Sequence, residues 1–308
     1  MNPAYSVILF TTASGAGYGL LFLAGLVGFN HGRTSSPTFA FTTMFVALGL
    51  ITIGLLSSTF HLGRPERAWR AFSQWRSSWL SREGILAVIT YPVALLFGAS
   101  WSGLIDAPSL IGLLGFATAA LCAATVFCTA QIYASLKTIP RWNHKLVCPV
   151  YLVFALATGS CLLPVIATVF GRWQIFQGIL ALAALVVIAL LKVFYWRSID
   201  TAPRNHTTGD ATGLGKDVRQ WELPHTNINF IQKEMGFVVA RKHADKLRKL
   251  TLLLLLAAIV FILLAMFATP WFSFGAAIAA LAAAVVERWL FFAEAEHVVN
   301  LYYGQAAV

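Results

Sequence analysis

The sequence predicts an all-α membrane protein, a polytopic bundle of eight transmembrane helices that forms a single integral membrane domain over residues 1–308. The mean hydropathy is +0.75, and hydrophobic residues make up 58% of the chain against 11% charged residues. Apolar runs of about 20 residues recur, the length that carries a helix across about 30 Å of hydrocarbon. Runs such as Ile179–Leu191 and Thr251–Met266 lack the alternation of apolar and polar residues that a transmembrane β-barrel requires.

Eight apolar stretches are long enough to span the membrane, and polar segments separate them. Their predicted bounds, in chain order, are 5–30, 38–60, 84–104, 109–136, 147–170, 174–196, 250–269 and 272–301. No positively charged segment precedes the first stretch, and no clear cleavage site ends it. We therefore predict that it is retained as a helix and is not removed as a signal peptide.

Polar and aromatic residues mark the ends of the later stretches. The second stretch ends at His61, and the third begins beside Glu83. Short links join the third stretch to the fourth, the fifth to the sixth and the seventh to the eighth. Trp101, Trp173 and Trp271 stand at these links, where interfacial aromatic residues are common.

Lysine and arginine are distributed unevenly between the two ends of the predicted bundle. Most of the 22 residues lie in the loops after the second, fourth and sixth stretches, whereas Arg33 and Arg172 alone occupy the loops after the first and fifth. Cytoplasmic loops carry an excess of these residues. We therefore predict a bacterial inner (cytoplasmic) membrane protein whose termini and basic loops face the cytoplasm. The net charge of +10 indicates contact with anionic lipid or an acidic protein, and not with nucleic acid.

The longest polar segment is the stretch 197–249, which we predict to be a basic cytoplasmic insert within the membrane domain. In its second half, 227–250, apolar residues recur at helical spacing and basic residues fill the other positions. This pattern predicts a basic amphipathic helix. It is compatible with a helix on anionic headgroups and with docking to a cytoplasmic partner subunit, and an ordered insert of this length needs a surface to pack on.

The first candidate site lies where the second and third stretches meet the basic face. His61, Arg64 and Glu83 are all near this face. A histidine beside a partly desolvated carboxyl can exchange protons near neutral pH. The structural alternative is a helix-capping arrangement, in which Ser81 caps the third helix and Glu83 interacts with the helix dipole.

The second candidate site is the eighth stretch, which is unusually rich in ionisable residues. Glu287, Glu294 and His297 fall along one stripe of a continuous helix, and Arg288 adjoins it. Such residues are costly in hydrocarbon and usually face a protein interior or cavity. Both an interhelical salt bridge and the lining of a ligand site or proton path fit the pattern. We predict that Lys192, near the end of the sixth stretch, is interfacial.

Metal sites have weak support in the sequence. The four cysteines lie in or beside apolar stretches without the spacing of a zinc or iron–sulfur site, which predicts small buried side chains and no metal ligands. A shallow haem site would need His61 and His297 on facing helices, and this alternative is compatible with their positions near helix ends.

Three segments together resemble a known family. The run 57–69 contains His-Leu-Gly-Arg-Pro-Glu-Arg-Ala, and Leu-Ser-Arg-Glu follows at 80–83. These motifs resemble the signature of the dimethyl sulfoxide reductase membrane-anchor family, His-Leu-Gly-x-Pro-x-Arg-Ala and then Leu-Ser-x-Glu. The segment 132–142 resembles the family's Tyr-x-Ser-x-x-Thr-x-Pro-x-Trp segment, and 287–292 resembles its last helix.

The resemblance implies a quinone-reactive anchor with eight helices and no redox cofactor of its own. Its expected partners are an iron–sulfur electron-transfer subunit and a molybdopterin catalytic subunit, and its expected ligand is ubiquinone or menaquinone. His61 and Glu83 match the quinone-site His and Glu of the family, whereas Arg64 occupies a variable position. The full set of candidate quinone-binding and proton-relay residues is His61, Arg64, Glu83, Tyr133, Trp142, Glu287, Arg288, Glu294 and His297.

The predicted orientation indicates which members of the family the chain resembles. In the dimethyl sulfoxide reductase the motif loops face the periplasm, but here they carry the basic residues. The chain is similar in this respect to the cytoplasm-facing anchors of quinone-linked sulfite dehydrogenases from sulfur-oxidising bacteria, which implies oxidation of sulfite to sulfate. Anchors of enzymes that reduce dimethyl sulfoxide, polysulfide or tetrathionate in anaerobic respiration are the alternative within the family. A stand-alone transporter, with the acids of the eighth stretch as a relay, is the alternative from another class.

Overall fold

The computed structural model describes most of the chain as a helical bundle. The described residues are 3–34, 36–60, 62–204, 206–215, 218, 220–222, 226–235 and 239–308, with side chains described from 243 onward in the last range. Within these ranges eight helices are long and apolar enough to cross a membrane. The predicted all-α polytopic bundle is therefore confirmed.

The spanning helices are labelled α1 to α8 in chain order. They are α1 (Tyr5–His31), α2 (Pro37–Thr59), α3 (Trp79–Ser102), α4 (Pro108–Ala134), α5 (Val147–Val169), α6 (Ile175–Thr201), α7 (Val239–Phe267) and α8 (Ser273–Ala293). Their starts follow from local chemistry. Pro37 and Pro108 occupy first-turn positions, where a missing N–H costs nothing, and Ser78 accepts a hydrogen bond from Ser81 N at 3.4 Å to cap α3.

Four predicted bounds differ from the structure by more than a turn. Helix α6 ends at Thr201 and not at 196. Helix α3 begins at Trp79 and not at 84, because Ser78 supplies the cap and the polar residues after it continue the helix. Helix α7 begins at Val239, ahead of its apolar run. Helix α8 ends at Ala293 and not at 301, where the chain turns into a separate 3₁₀ helix, Val298–Tyr303.

Helix α1 is the most enclosed of the eight. It packs against α2, α4 and α5, while α5 also joins a second buried cluster with α6, α7 and α8. A π-helical turn, Phe10–Ser14, interrupts α1. Gly19 permits the closest helix contact, because a Cβ built there would lie 1.8 Å from the carbonyl oxygen of Ala155 in α5.

The insert after α6 packs on the carboxyl-terminal segment of the described chain. His206 and Val308 exchange two backbone hydrogen bonds, and Thr208 N donates to Ala306 O at 3.2 Å. The predicted amphipathic helix over 227–250 is present as Phe230–Met235 and the beginning of α7, and residues 236–238 lie outside the described ranges. That residues 1–308 form one membrane domain with an insert at 197–249 stays a prediction.

The tryptophans at the short links differ in their surroundings. Trp271 is exposed, but Trp101 is buried and stacks on Phe97 with 5.4 Å between ring centroids. Both residues stand at helix ends, as predicted, and the Trp101 side chain is covered by neighbouring helices. Their interfacial position in the membrane stays a prediction.

Candidate functional site

Glu83 lies in the second turn of α3 and points into the bundle. Its side chain is buried, and Thr129 Oγ1 of α4 donates to Glu83 Oε1 at 2.5 Å. Thr129 Oγ1 also lies 3.1 Å from the carbonyl oxygen of Thr125. A single hydroxyl hydrogen cannot serve both acceptors, whereas a protonated Glu83 would donate to Thr129 and leave that hydrogen for Thr125. The contact therefore suits a carboxyl group that gains and loses a proton.

The helix-capping alternative for this region is wrong. Ser78, and not Ser81, is the amino-terminal cap of α3, and no acidic residue lies in the first turn. Ser81 is buried, and its hydroxyl has no hydrogen-bonding partner among the residues that the structure describes.

The other residues predicted beside Glu83 are distributed differently. His61 lies outside the described residues, so its approach to Glu83 and the haem alternative that depends on it stay predictions. Arg64 is exposed and precedes a 3₁₀ helix, Pro65–Gln74. It belongs to a surface loop, whereas Glu83 is buried in the bundle.

An exposed, aromatic and basic surface leads up to α3. In this segment, 62–78, Trp69, Phe72 and Trp75 are all substantially exposed. The guanidinium carbons of Arg70 and Arg76 lie 5.6 and 5.3 Å from the ring centroids of the adjacent tryptophans. Such a surface suits a protein interface or lipid headgroups, since exposed aromatic and arginine side chains are enriched at both.

Tyr133 and Trp142 come together in an aromatic cluster against α8. Their ring centroids are 5.2 Å apart, and Trp142 Nε1 donates to the carbonyl oxygen of Phe291 at 2.9 Å. The Tyr133 ring also contacts Tyr151 and Phe292. Tyr133 lies within electrostatic range of both Glu83 and Arg288, so this cluster connects the two candidate sites of the sequence.

Glu287 and Arg288 form a buried charge cluster with Lys192. Lys192 Nζ lies 2.6 Å from Glu287 Oε1, and Arg288 NH1 lies 2.9 Å from Glu287 Oε2 outside hydrogen-bond geometry. All three side chains are buried. The interfacial position predicted for Lys192 was therefore wrong, because the residue faces α8 inside the bundle and neutralises an acid there.

A small polar cavity lies beside this cluster and was not predicted. Its volume is about 20 Å³, and its lining includes Tyr18, Thr129, Tyr151 and Arg288. The Arg288 guanidinium carbon is 3.5 Å from the ring centroid of Tyr151. The hydroxyls of Tyr18 and Tyr151, like Arg288 NH1, are buried without a hydrogen-bonding partner among the described residues. The π-helical turn of α1 forms another wall, as such turns often do at functional sites.

Glu294 and His297 do not continue the stripe of Glu287, because α8 ends before them. Arg248 NH2 of α7 lies 2.8 Å from Glu294 Oε1, and Arg248 NH1 lies 2.6 Å from Asp200 Oδ2. Burial raises the pKa of the Glu294 carboxyl, and the nearby Arg248 opposes that shift. Glu294 therefore ties α8 to the beginning of α7.

His297 caps the 3₁₀ helix that follows α8. Its Nδ1 accepts a hydrogen bond from Val299 N at 3.0 Å. Burial lowers the pKa of the His297 imidazole. The same nitrogen cannot accept this bond when it is protonated, so the neutral form stabilises the turn.

The basic face also carries an open charged cleft near the insert. Its volume is about 550 Å³, and both signs of charge line it. The charged residues are Arg141, Asp200, Arg204, Asp245, Arg248, Glu294 and Glu296. Glu294 therefore lines this cleft.

Comparisons with known proteins agree with the motifs. The family model described as DMSO reductase anchor subunit (DmsC) matches residues 1–304. A sulfite dehydrogenase subunit of Allochromatium vinosum is 32% identical, and the alignment spans 100% of both sequences. A component of the anaerobic dimethyl sulfoxide reductase of Haemophilus influenzae is 28% identical over 46% of this protein and 50% of its own length.

Proposed function

The chain belongs to the DMSO reductase anchor subunit family, and from that premise we propose that it is the quinone-binding anchor of a sulfite-oxidising molybdoenzyme. Members of this family are multi-pass membrane anchor subunits, and they partner with catalytic molybdoenzyme and iron–sulfur subunits. We therefore interpret the buried charges as part of an anchor subunit and not as the relay of a stand-alone transporter.

The buried Glu83–Thr129 pair carries the quinone proposal. It stands near the basic end of the bundle, next to the segment 62–78 and within electrostatic range of Tyr133 and Tyr18. Reduction of a quinone requires two protons as well as two electrons. A carboxyl group in this position could hold a proton for that reaction, and His61 is the residue we propose to exchange protons with the water outside.

The partner subunits would supply the redox chemistry. Those subunits would oxidise the substrate and pass the electrons towards the membrane. This chain would bind the quinone, exclude water around it and provide protons. A shallow site at the basic end suits this role, because electrons must arrive from a cluster just outside the bilayer.

We propose that the segment 62–78 and the charged cleft form the docking surface for the iron–sulfur subunit. The exposed tryptophans of the segment provide apolar area, and its arginines provide positive charge. The cleft contributes charges of both signs. Such charges orient a docking partner more than they strengthen its binding.

The full-length relative in Allochromatium vinosum supports sulfite as the substrate. The excess of lysine and arginine on the loops beside Glu83 supports a cytoplasmic orientation in the inner membrane. Purification in mild detergent tests the whole proposal. Molybdenum, iron and sulfite-dependent quinone reduction together support it. A metal-containing complex without a response to sulfite would exclude sulfite and direct the search to dimethyl sulfoxide, polysulfide or tetrathionate.

The substitution Glu83→Gln tests the quinone site in the intact complex. We expect it to abolish electron transfer to quinone, while sulfite oxidation with an artificial acceptor and assembly of the complex persist. Asp106→Asn is the control, since Asp106 is exposed beside Arg33 at the opposite end of the bundle. Normal quinone reduction by the Glu83→Gln complex would contradict the assigned role. Loss of assembly would show that the residue is structural.

A further inference from the structure

Tyr18 stands between two neighbouring cavities in the bundle. On one side is the polar cavity that also contains Thr129, Tyr151 and Arg288. On the other is an apolar cavity of about 160 Å³ between α1, α4 and α5. The apolar lining includes Tyr18, Phe22, Cys122, Ala123, Leu152 and Leu156.

The apolar cavity has the size and the lining of a site for a six-membered ring. An engineered protein cavity of about 150 Å³ lined by apolar side chains takes up benzene. Phe22, Ala123 and Leu152 are only partly buried, so the cavity opens towards the outside of the bundle at the level of the hydrocarbon. A ligand that enters here would come from the lipid.

Among the residues that line the apolar cavity, Tyr18 alone carries a hydroxyl group. It is buried without a hydrogen-bonding partner among the described residues, although a buried hydroxyl without a partner is costly. It lies within electrostatic range of Glu83. Thr129 connects the two, because it donates to Glu83 and lines the polar cavity next to Tyr18.

We propose that the apolar cavity is the lateral entrance of the quinone site and that the Tyr18 hydroxyl donates a hydrogen bond to a quinone carbonyl. This inference rests on the proposed quinone function and specifies the route and the contact. The two electrons come from the iron–sulfur subunit, and the two protons come through Glu83 and Thr129. Tyr18 keeps its own proton and positions the ring.

Photolabelling of the detergent-purified complex with an azido-ubiquinone tests the route without relying on turnover. We expect the label on peptides that contain residues 18–22, 122–126 or 152–156. Ala123→Phe should fill the cavity and reduce labelling at least fivefold. Ala120→Phe is the matched control, because Ala120 is exposed on the same helix and does not line the cavity.

Tyr18→Phe tests the hydrogen bond separately and preserves the ring that packs in α1. Because one hydrogen bond is lost, we expect half-saturation to require about a tenfold higher concentration of decylubiquinone. Activity towards an artificial acceptor should be unchanged. Labelling at other sites would contradict the proposed entrance, and so would normal saturation by decylubiquinone in both Tyr18→Phe and Ala123→Phe. If Glu83→Gln is still inactive towards quinone in that case, the quinone function itself is retained. A native complex that neither binds the label nor reduces decylubiquinone would contradict both the proposed entrance and the proposed quinone function.

Discussion

Three buried charges in the second half of the bundle have unequal importance for stability. Lys192 and Arg288 both approach Glu287, so the cluster contains two cations and one acid. Removal of the acid leaves two cations in an apolar environment. Removal of Lys192 leaves a compensated pair. The acid is therefore the residue on which this part of the fold depends.

We expect Glu287→Gln to destabilise the protein by about 3–5 kcal/mol, the range for breaking a buried ion pair. Lys192→Met conserves volume and should cost less than about 1.5 kcal/mol. Denaturation of the detergent-solubilised protein, followed by circular dichroism, would compare the two variants. An equal loss of stability in both variants would show that Arg288 alone does not neutralise the charge of Glu287.

His297 gives the carboxyl-terminal 3₁₀ helix a dependence on pH. Burial lowers the pKa of this imidazole in the folded state, so the folded protein binds fewer protons than the unfolded chain below about pH 6.5. The contribution of His297 to stability is therefore complete above that pH and declines as the pH falls towards the lowered pKa. Protonation of Nδ1 would also remove the acceptor for Val299 N.

We expect amide protection factors of residues 298–303 to fall several-fold between about pH 7.5 and about pH 5.5, since a helix cap contributes about 1 kcal/mol. Hydrogen–deuterium exchange at both pH values would measure this. His297→Asn retains a side-chain acceptor that does not titrate, and it should abolish the change. The same fall in the variant would assign the effect to another group.

The sequence could identify some of these residues but not others. Glu83 and Arg288 were recognisable as ionisable groups in apolar surroundings or in a motif. Tyr18 and Tyr151 had no such signal, because a tyrosine in an apolar helix is as often packed as functional. Their importance depends on which hydroxyls lack partners in the folded bundle. Lys192 was misplaced because its partner, Glu287, is 95 positions away.

At the scale of the elements, hydropathy predicts the interiors of the helices better than their ends. A span needs about 20 apolar residues whatever its neighbours are, and all eight stretches are helical. The ends depend on capping and tertiary contacts. Ser78 extends α3 into a polar segment, and the break after Ala293 accompanies a contact between Val298 N and Thr138 O at 3.0 Å.

The contact between α1 and α5 depends on glycine at two positions. A Cβ at Gly19 would meet Ala155 O at 1.8 Å, and a Cβ at Gly159 would meet the Gly19 carbonyl carbon at 2.3 Å. Both distances involve backbone atoms, which cannot move aside as a flexible side chain does. Close helix packing through small residues is a principal source of stability within membranes.

We expect Gly19→Ala and Gly159→Ala each to destabilise the bundle by about 1–3 kcal/mol or more, the range for overpacking. Gly49→Ala is the control, since a Cβ there meets nothing within 4 Å. It should be neutral or stabilising by about 0.5–1 kcal/mol. Thermal unfolding in detergent would rank the three variants, and a tolerant Gly19 would mean that α1 and α5 separate at little cost.

At the scale of the whole molecule, one end of the bundle contains nearly all the features proposed for function. Glu83, the segment 62–78, the insert and the charged cleft are on that end. At the other end Arg33 pairs with Asp106, and both are largely exposed. This asymmetry is what a subunit requires if it meets its partner on one side of the membrane.

The orientation of this functional end in the membrane is open to direct measurement. Ser77 is exposed on the segment 62–78, and Ser109 is exposed near the beginning of α4 at the opposite end. We expect Ser77→Cys to react with a membrane-impermeant maleimide in inside-out vesicles and Ser109→Cys to react in intact spheroplasts, because loops rich in lysine and arginine stay in the cytoplasm. The native protein is the background control, since three of its four cysteines are buried. The reverse pattern would place the docking end outside the cytoplasm, and the proposed partner would then have to be an exported enzyme.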